Sequence, residues 1–386
     1  MTEVASQVFT PEQVERARRY HRSLYLVAVL GIALNLVVLG LLSFWAIGAL
    51  YGPLDDWPWW LSAPLLTGLV VVVNSLVHTP LAFWRGYVHE HRWGFSTQTR
   101  RGWAVDRLKG LGIAVVLTAL PLTALMACVH LFPSWWPLIA AAGAALFVLV
   151  VGFIAPVVLE PVFNRFDPLS DGQLAAELRE LADRAGVPVR DVLVADASRR
   201  TRKHNAYVSG LGKTRRVVVW DTLLERGEPG EVRLVVAHEL GHRRYKHVAR
   251  WTVISMGFVA AFVVLLWLLF HWDALLHALG AAGPGDPRVL PFVLFLGSML
   301  GLVVRPFALA VSRRWERDSD RFSLDLTGDM TAYERTHHLL ALEDLGDLAP
   351  PKAAYLFFAG HPTAPERLAA GRAWAAEHAG ERCPGA

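Results

Sequence analysis

Long apolar runs are the feature of this sequence that most restricts its fold. Each of six runs is long enough to cross a hydrocarbon layer of about 30 Å as a helix. A hydrophobic fraction of 54%, a mean hydropathy of +0.35 and 15 tryptophans exclude an ordinary soluble enzyme of 386 residues. The sequence predicts a mainly helical, polytopic membrane bundle or barrel whose six spans lie near residues 24–50, 60–83, 111–132, 136–159, 251–270 and 289–311.

Basic residues between the spans predict the orientation. Arginines cluster in residues 1–22 and in the loop after the second span, whereas loops 51–58, 133–135 and 272–287 contain neither lysine nor arginine. Since loops rich in lysine and arginine remain cytoplasmic, both termini and the polar segment at about 160–250 are expected in the cytoplasm. The preference for arginine over lysine is typical of GC-rich bacterial genomes and favours a bacterial plasma membrane.

Charge and cysteine content narrow the partners. The isoelectric point near 9.2 arises mostly from arginines at membrane edges, which indicates contact with anionic membrane lipids and no nucleic-acid partner. Cys128 lies in a span and Cys383 near the C-terminus, so neither a disulfide framework nor a cysteine metal site is expected.

The polar segment between the fourth and fifth spans is predicted to be a small α/β unit. Apolar residues at helical spacing indicate a helix over 171–185, and a β-branched run indicates a strand over 191–195. Residues 205–209 and 216–220 flank a glycine-containing turn and predict a hairpin. The next helix is expected to begin near Glu231.

An H-E-x-x-H motif in that next helix carries the chemistry. His238 and His242 are four residues apart and share a helix face, so two imidazoles can bind one metal ion. Glu239 lies about 100° further round and can take a proton from a water molecule activated by zinc. The motif predicts a zinc hydrolase, although a pair of ordinary surface histidines is the alternative.

A catalytic zinc site needs a third protein ligand, and residues 312–320 offer one. If this segment is helical, Glu316 and Asp320 lie on one face, where Glu316 can bind the metal and Asp320 can orient a ligating histidine. Asp318 then points away. The alternative is a solvated, charged end of the preceding apolar helix, but the need for a third ligand favours Glu316.

Further motifs accompany the metal motif in a fixed order. They occupy residues 87–99, 161–169, 205–207, 221–224, 238–242, 316–320 and 361–368. In this order the chain resembles, over nearly its whole length, the integral-membrane zinc metalloproteases of the CAAX prenyl protease 1 type. The resemblance implies a helical barrel around a large intramembrane chamber, with a zincin-type catalytic insert on the cytoplasmic side.

The resemblance also implies roles for individual residues. His238, His242 and Glu316 would bind one zinc ion per chain, Glu239 would act as general base, and His361 would donate to the tetrahedral oxyanion. The chain departs from the family in having six apparent spans where eukaryotic members have seven. It also has His-Glu-His at 89–91, where the family commonly has two adjacent glutamates and a lysine.

Two domains are expected, namely a four-span membrane domain over 1–160 and a metallopeptidase domain over 161–386 with the last two spans. Asn205, Ala206 and Tyr207 are predicted to form an edge strand that pairs with extended substrate, because a peptidase must present backbone carbonyls to the metal in a fixed register. An ordinary hairpin strand is the alternative.

The predicted function is hydrolysis of peptides or membrane-associated proteins on the cytoplasmic side of the membrane. A heat-shock quality-control protease of the same clan would share the chemistry and differ in its clients. A site-two intramembrane protease is disfavoured, since Arg233 and Arg243 flank the motif, which a position inside a span would not tolerate. A transporter or lipid-binding protein would not need the intact set of ligands and base.

Other polar residues receive structural interpretations. Asn74, His78 and Arg305 lie in spans, where they either line a chamber or extend towards the membrane surface. Three further histidines are expected to be solvated helix residues: His247, His337 and His338.

Overall fold

The structure is a computed structural model that describes residues 8–210 and 212–379, so Cys383 lies outside the described residues. Most of this part of the chain is helical. In chain order, the helices are α1 (Pro11–Phe44), α2 (Ile47–Tyr51), α3 (Trp59–Phe83), α4 (Glu90–Arg92), α5 (Arg100–Leu131), α6 (Trp136–Ile154), α7 (Glu160–Phe163), α8 (Gly172–Arg184), α9 (Asp221–Arg226), α10 (Pro229–Arg244), α11 (His247–Leu269), α12 (Asp273–Ala278), α13 (Leu290–Thr327), α14 (Met330–Glu343), α15 (Lys352–Phe358) and α16 (Ala364–Glu377).

Six of the described helices are long and apolar enough to cross a membrane, which confirms the predicted spans. They are α1, α3, α5, α6, α11 and α13, and π-helical turns at Trp84–His89 and Ala155–Leu159 extend α3 into α4 and α6 into α7. Each helix packs against the next in this order, and α13 returns to α1, so the six helices close a ring. The spans are therefore arranged as a barrel, as expected from the resemblance.

The small sheet that follows the fourth span has the order β1-β2-β4-β3. The β2–β4 pair is parallel, and the other two pairs are antiparallel. The predicted strand and hairpin are confirmed, and β3 is an edge strand. The strands are β1 (Phe166–Pro168), β2 (Asp191–Ala195), β3 (Ala206–Ser209) and β4 (Arg216–Trp220).

Gly210 makes the turn after β3 possible. Its φ is +81°, and a Cβ there would lie 2.3 Å from the backbone oxygen of Thr214, so no other residue fits. The helix predicted over 171–185 is α8, whose face of Leu174, Leu178 and Leu181 packs into the core beneath the sheet. The same core contains Leu240 of α10, so the sheet and α8 support the helix that carries the H-E-x-x-H motif.

Local sequence determines where α10 begins and ends. Glu228 and Glu231 form a reciprocal capping box, and Pro229 occupies the first turn, where its missing N–H costs nothing. At the other end Lys246 has a φ of +57°, a left-handed conformation that separates α10 from the spanning helix α11. This sharp turn places His247, the first residue of α11, next to the end of α10.

Candidate active site

The motif helix α10 and the last spanning helix α13 approach each other closely at Gly241. A Cβ at this position would lie 3.2 Å from the Cα of Ser319 and 3.1 Å from Cδ1 of Phe322. Because glycine allows this approach, the histidines of α10 face Glu316 of α13 directly. The glycine in the motif thus has a packing role that is separate from the metal chemistry.

His238, His242 and Glu316 form a compact triangle of ligand groups, in which each histidine approaches a different oxygen of the Glu316 carboxylate. The two histidine Nε2 atoms are 3.2 Å apart, and Glu316 Oε2 and Oε1 lie 3.2 and 3.3 Å from Nε2 of His238 and His242, respectively. A tetrahedral ion with bonds of about 2.0 Å separates its ligand atoms by roughly 3.3 Å. Glu316 Oε2 is also buried without a partner in hydrogen-bond geometry. These residues therefore fit a zinc ion.

Asp320 and Arg367 support His238 on the side of its Nδ1, the ring nitrogen that does not face Glu316. His238 Nδ1 lies 2.9 Å from Asp320 Oδ1, and Arg367 Nε donates to Asp320 Oδ2 at 2.8 Å. Burial alone would lower the pKa of His238, but the adjacent carboxylates of Asp320 and Glu316 outweigh it and raise the pKa to about 10. The surrounding carboxylates thus favour positive charge at this position, whether a proton or a metal ion.

His247 supports His242, and this contact was not predicted from the sequence. Nδ1 of His242 lies 3.0 Å from Nδ1 of His247, and the His247 ring stacks on Trp315 with centroids 4.8 Å apart. His247 is only 2% exposed, so the expectation of a solvated residue is wrong. If Nε2 of His242 binds the metal, its Nδ1 carries the proton and donates to His247, which fixes the orientation of both rings.

Glu239 is partly buried beside these ligands, and its side chain contributes to the wall of a cavity of about 130 Å³. One atom each of His238, Glu239 and His242 lies within 4.8 Å of the others. Burial raises the pKa of the Glu239 carboxyl, although the two histidines counteract it. A carboxylate with a raised pKa next to a metal is suited to accept and return a proton near neutral pH.

His361 lies at the mouth of the same cavity. Its Nδ1 is 2.6 Å from Glu316 Oε2, and its side chain is 67% exposed. The residue precedes α16, whose start is held by a capping box between Thr363 and Glu366. A rigid helix start thus anchors the loop that carries His361, while its imidazole remains accessible.

The predicted substrate strand borders the site through its backbone. The Trp220 N–H donates to the Asn205 carbonyl at 3.0 Å, so alternation directs the N–H and carbonyl of Ala206 away from β4. Arg243 of α10 donates to the carbonyl of Val208 on this outer side, which faces the motif helix. Asn205 lines the cavity, whereas the Tyr207 hydroxyl donates at 3.3 Å to Glu160, which does not line it.

Most of the site residues predicted from the sequence therefore lie on the wall of this cavity, and a few lie elsewhere. Asp318 is exposed, as predicted, and the Tyr207 side chain points away. The cavity wall also includes Arg367 and His337, to which the sequence interpretation gave no role there. His337 is 4% exposed, so the expectation of a solvated histidine is wrong. The only available signal for Arg367 was its place in the motif at 361–368. The predicted residues on the cavity wall are Asn205, His238, Glu239, Glu316, Asp320 and His361.

Comparison with protein families covers almost the entire chain. Residues 168–375 match peptidase family M48, and residues 1–165 match the family described as CAAX prenyl protease N-terminal, five membrane helices. In the described part of that N-terminal region, this chain has four spanning helices, α1, α3, α5 and α6. The described residues of this region therefore contain one spanning helix fewer than the family description names.

Individual relatives agree with this assignment. The chain is 32% identical over 302 residues to the uncharacterized metalloprotease YhfN of Bacillus subtilis, a match that covers 77% of this chain and 70% of the relative. It is 33% identical over 196 residues to CAAX prenyl protease 1 of Saccharomyces cerevisiae, covering 49% and 42%, respectively. The crystal structure of S. mikatae Ste24p has the same fold, with a TM-score of 0.75, 23% identity and coverage of 94% of this chain and 89% of that one. The chain belongs to peptidase family M48 and is a membrane metallopeptidase of the CAAX prenyl protease type.

Proposed function

We propose that this metallopeptidase uses zinc to hydrolyse internal peptide bonds of peptides or membrane-associated proteins on the cytoplasmic side of a bacterial plasma membrane. The observation that carries the proposal is the triangle of His238, His242 and Glu316 ligand atoms, with separations of 3.2–3.3 Å, beside the partly buried Glu239. The basic loops predicted to be cytoplasmic support this orientation. The domain division at about residue 160 also remains part of the proposal.

Each residue then has one task in hydrolysis. His238, His242 and Glu316 would hold the zinc ion, which when bound supplies Lewis acidity to water and to the substrate carbonyl. Glu239 accepts the proton of the attacking water and returns it to the leaving amine. Asp320 holds His238 in the orientation required for binding through Nε2.

Metal removal tests the function itself. Treatment of the detergent-purified protein with a zinc chelator should reduce hydrolysis of a quenched fluorescent peptide to background, and added Zn²⁺ should restore it. A His238→Ala variant, which lacks a ligand, should not be restored at the same Zn²⁺ concentration. Hydrolysis that persists in protein shown to be metal-free would contradict the proposal.

His361 is proposed to donate a hydrogen bond to the oxyanion, because its exposed imidazole lies beside Glu316 at the cavity mouth. His361→Ala should lower kcat by about 10²- to 10³-fold with zinc content unchanged, as loss of one oxyanion donor usually does. Activity and metal content should be measured on the same preparation, with the exposed His271 replaced by alanine as the control. A kcat within about twofold of wild type would make His361 structural and return the role to another donor, such as Asn205.

The edge of β3 is proposed to pair with an extended substrate through Ala206, with Asn205 and Tyr207 setting its position. Ala206→Pro removes the N–H that points away from β4, so KM should rise or turnover should stop while zinc remains bound. The control is Ala206→Ser, which keeps the N–H. Unchanged kinetics in the proline variant would leave β3 an ordinary hairpin strand.

A heat-shock quality-control role remains the alternative for the clients, because it requires the same chemistry. Two of the relatives described above are a bacterial metalloprotease and a yeast CAAX prenyl protease, so the comparisons leave both client classes open. Clients retained on a Glu239→Gln variant in cells would distinguish them, since prenylated proteins and unfolded membrane proteins are readily separated by mass spectrometry.

A further inference from the structure

A second cavity, of about 530 Å³, lies between the spanning helices and away from the metal-binding residues. Its wall comes from α1, α3 with its π-helical extension, α5 and α13, together with Phe358 of α15. Ile32 and Leu36 of α1 contribute aliphatic surface, while Arg85, Arg107 and Arg305 contribute three guanidinium groups. The wall is therefore amphiphilic, with an apolar side and a strongly cationic side.

No carboxylate compensates the three arginines within this cavity, as far as the described residues that line it are concerned. Arg107 Nη2 donates to Ser75 Oγ at 3.0 Å, and Arg305 Nε donates to the Phe357 carbonyl at 2.7 Å, with its guanidinium 5.2 Å from the Phe358 ring. Both side chains are thus held in place by neutral groups, and other N–H groups remain available to a ligand.

Arginines near a membrane edge are often explained by topology alone, with side chains that extend to the water layer. Arg107 does not fit that explanation, because its Nε is buried without a hydrogen-bond partner in the described structure. His78 is held inside as well, since its ring nitrogens contact the carbonyls of Asn74 at 2.8 Å and Gly31 at 3.1 Å. Arg107 thus offers a buried cationic donor, and the exposed Arg85 and Arg305 add two further guanidinium groups to the same cavity, so a bound anion would compensate their positive charge.

We propose that this cavity binds the headgroup of an anionic phospholipid, with the phosphate contacted by Arg85, Arg107 and Arg305. The planar fork of arginine matches the oxygens of a phosphate and binds them through paired hydrogen bonds. A lipid is favoured over a free anion because the aliphatic surface of α1 lines the same cavity. Val27, Ile32 and Leu36 of that helix offer the apolar surface for the acyl chains.

This site is separate from the proposed peptidase chemistry. Arg305 precedes Glu316 on α13 by 11 residues, which corresponds to about 16 Å along a helix. A binding assay can therefore test the lipid site without measuring hydrolysis, and failure of one proposal leaves the other intact.

The test measures lipid binding to the full-length protein in detergent by native mass spectrometry. Phosphatidylglycerol should bind at least about tenfold more tightly than phosphatidylcholine, and Arg107→Gln and Arg305→Gln should each weaken phosphatidylglycerol binding by about tenfold. The matched control is Arg101→Gln, an exposed arginine of the same helix as Arg107, which should bind as wild type. Inorganic phosphate should compete only at much higher concentration, since it lacks the acyl chains.

Zinc content and the melting temperature without lipid show whether each variant is folded. If a glutamine variant is unstable, Arg107→Lys or Arg305→Lys keeps the charge, loses the paired geometry and should still bind phosphatidylglycerol more weakly than wild type. Equal affinity for the two lipids, or an equal loss in Arg101→Gln, would overturn the proposal. Phosphate that competes as well as the lipid would also overturn it and indicate a simple anion site.

Discussion

Replacement of Glu239 by glutamine should abolish peptide hydrolysis and leave zinc bound. Glutamine has nearly the same shape as glutamate but cannot accept the proton of the attacking water, and loss of a general base typically costs about 10²- to 10⁴-fold. The ligand triangle is formed by His238, His242 and Glu316, so metal affinity should not depend on the negative charge of Glu239. The measurement is kcat on a fluorescent peptide together with metal analysis of the same sample.

His238→Ala provides the contrasting control for this prediction. It removes an atom of the triangle and leaves Asp320 without its histidine partner, so both zinc and hydrolysis should be lost. If zinc were absent from Glu239→Gln, or if hydrolysis above a few per cent persisted, the carboxylate would not be the general base. The two variants together therefore separate the base from the ligands, although the residues are adjacent in sequence.

The sequence predicts the spans and the motif helix well, because both depend on local patterns. A run of about 20 apolar residues is sufficient to recognise a spanning helix, and the four-residue spacing of His238 and His242 places them on one face wherever the helix lies. The strand and hairpin of the insert were equally accessible, since glycine at 210 marks a turn and β-branched residues mark the strands.

The supporting residues were harder to predict because they depend on tertiary contacts. His247 follows His242 by five residues and would point elsewhere on a continuous helix, but the left-handed Lys246 ends α10 and turns the ring back. Arg367 reaches Asp320 across a sequence separation of 47 residues, for which no local pattern exists. His247 was expected to be solvated because only its neighbours in sequence were considered. In the structure it contacts His242 of α10 and Trp315 of α13.

Gly241 shows how a local motif acquires its meaning from packing. The motif H-E-x-x-H requires only the two histidines and the glutamate, yet the intervening glycine lies where α13 packs tightly against α10. Without that approach, Glu316 would not reach the two histidines. The third ligand therefore depends on a residue that carries no chemistry of its own.

The second large effect concerns the three acidic residues at 316, 318 and 320. Zinc content should fall most in Glu316→Ala, to an intermediate level in Asp320→Ala and hardly at all in Asp318→Ala. Both oxygens of Glu316 lie within 3.3 Å of a histidine Nε2 in the triangle, so its loss removes a ligand and the negative charge that holds the metal. Asp320 acts through His238, and loss of such an outer partner costs about 10- to 100-fold in metal affinity. Asp318 is exposed and serves as the matched control on the same helix.

Asp320 needs one further variant, because it also neutralises the partly buried Arg367. Alanine at 320 leaves that guanidinium without its carboxylate, so part of the zinc loss could arise from a less stable fold. Asp320→Asn keeps an acceptor for the arginine and the shape of the side chain, but it removes the charge that favours a cation at His238. If Asp320→Asn also loses zinc at an unchanged melting temperature, the carboxylate acts on the metal through the histidine. Equal zinc retention in the variants at 316, 318 and 320 would instead assign the third ligand to another residue, and the exposed His361 beside Glu316 would be the first to examine.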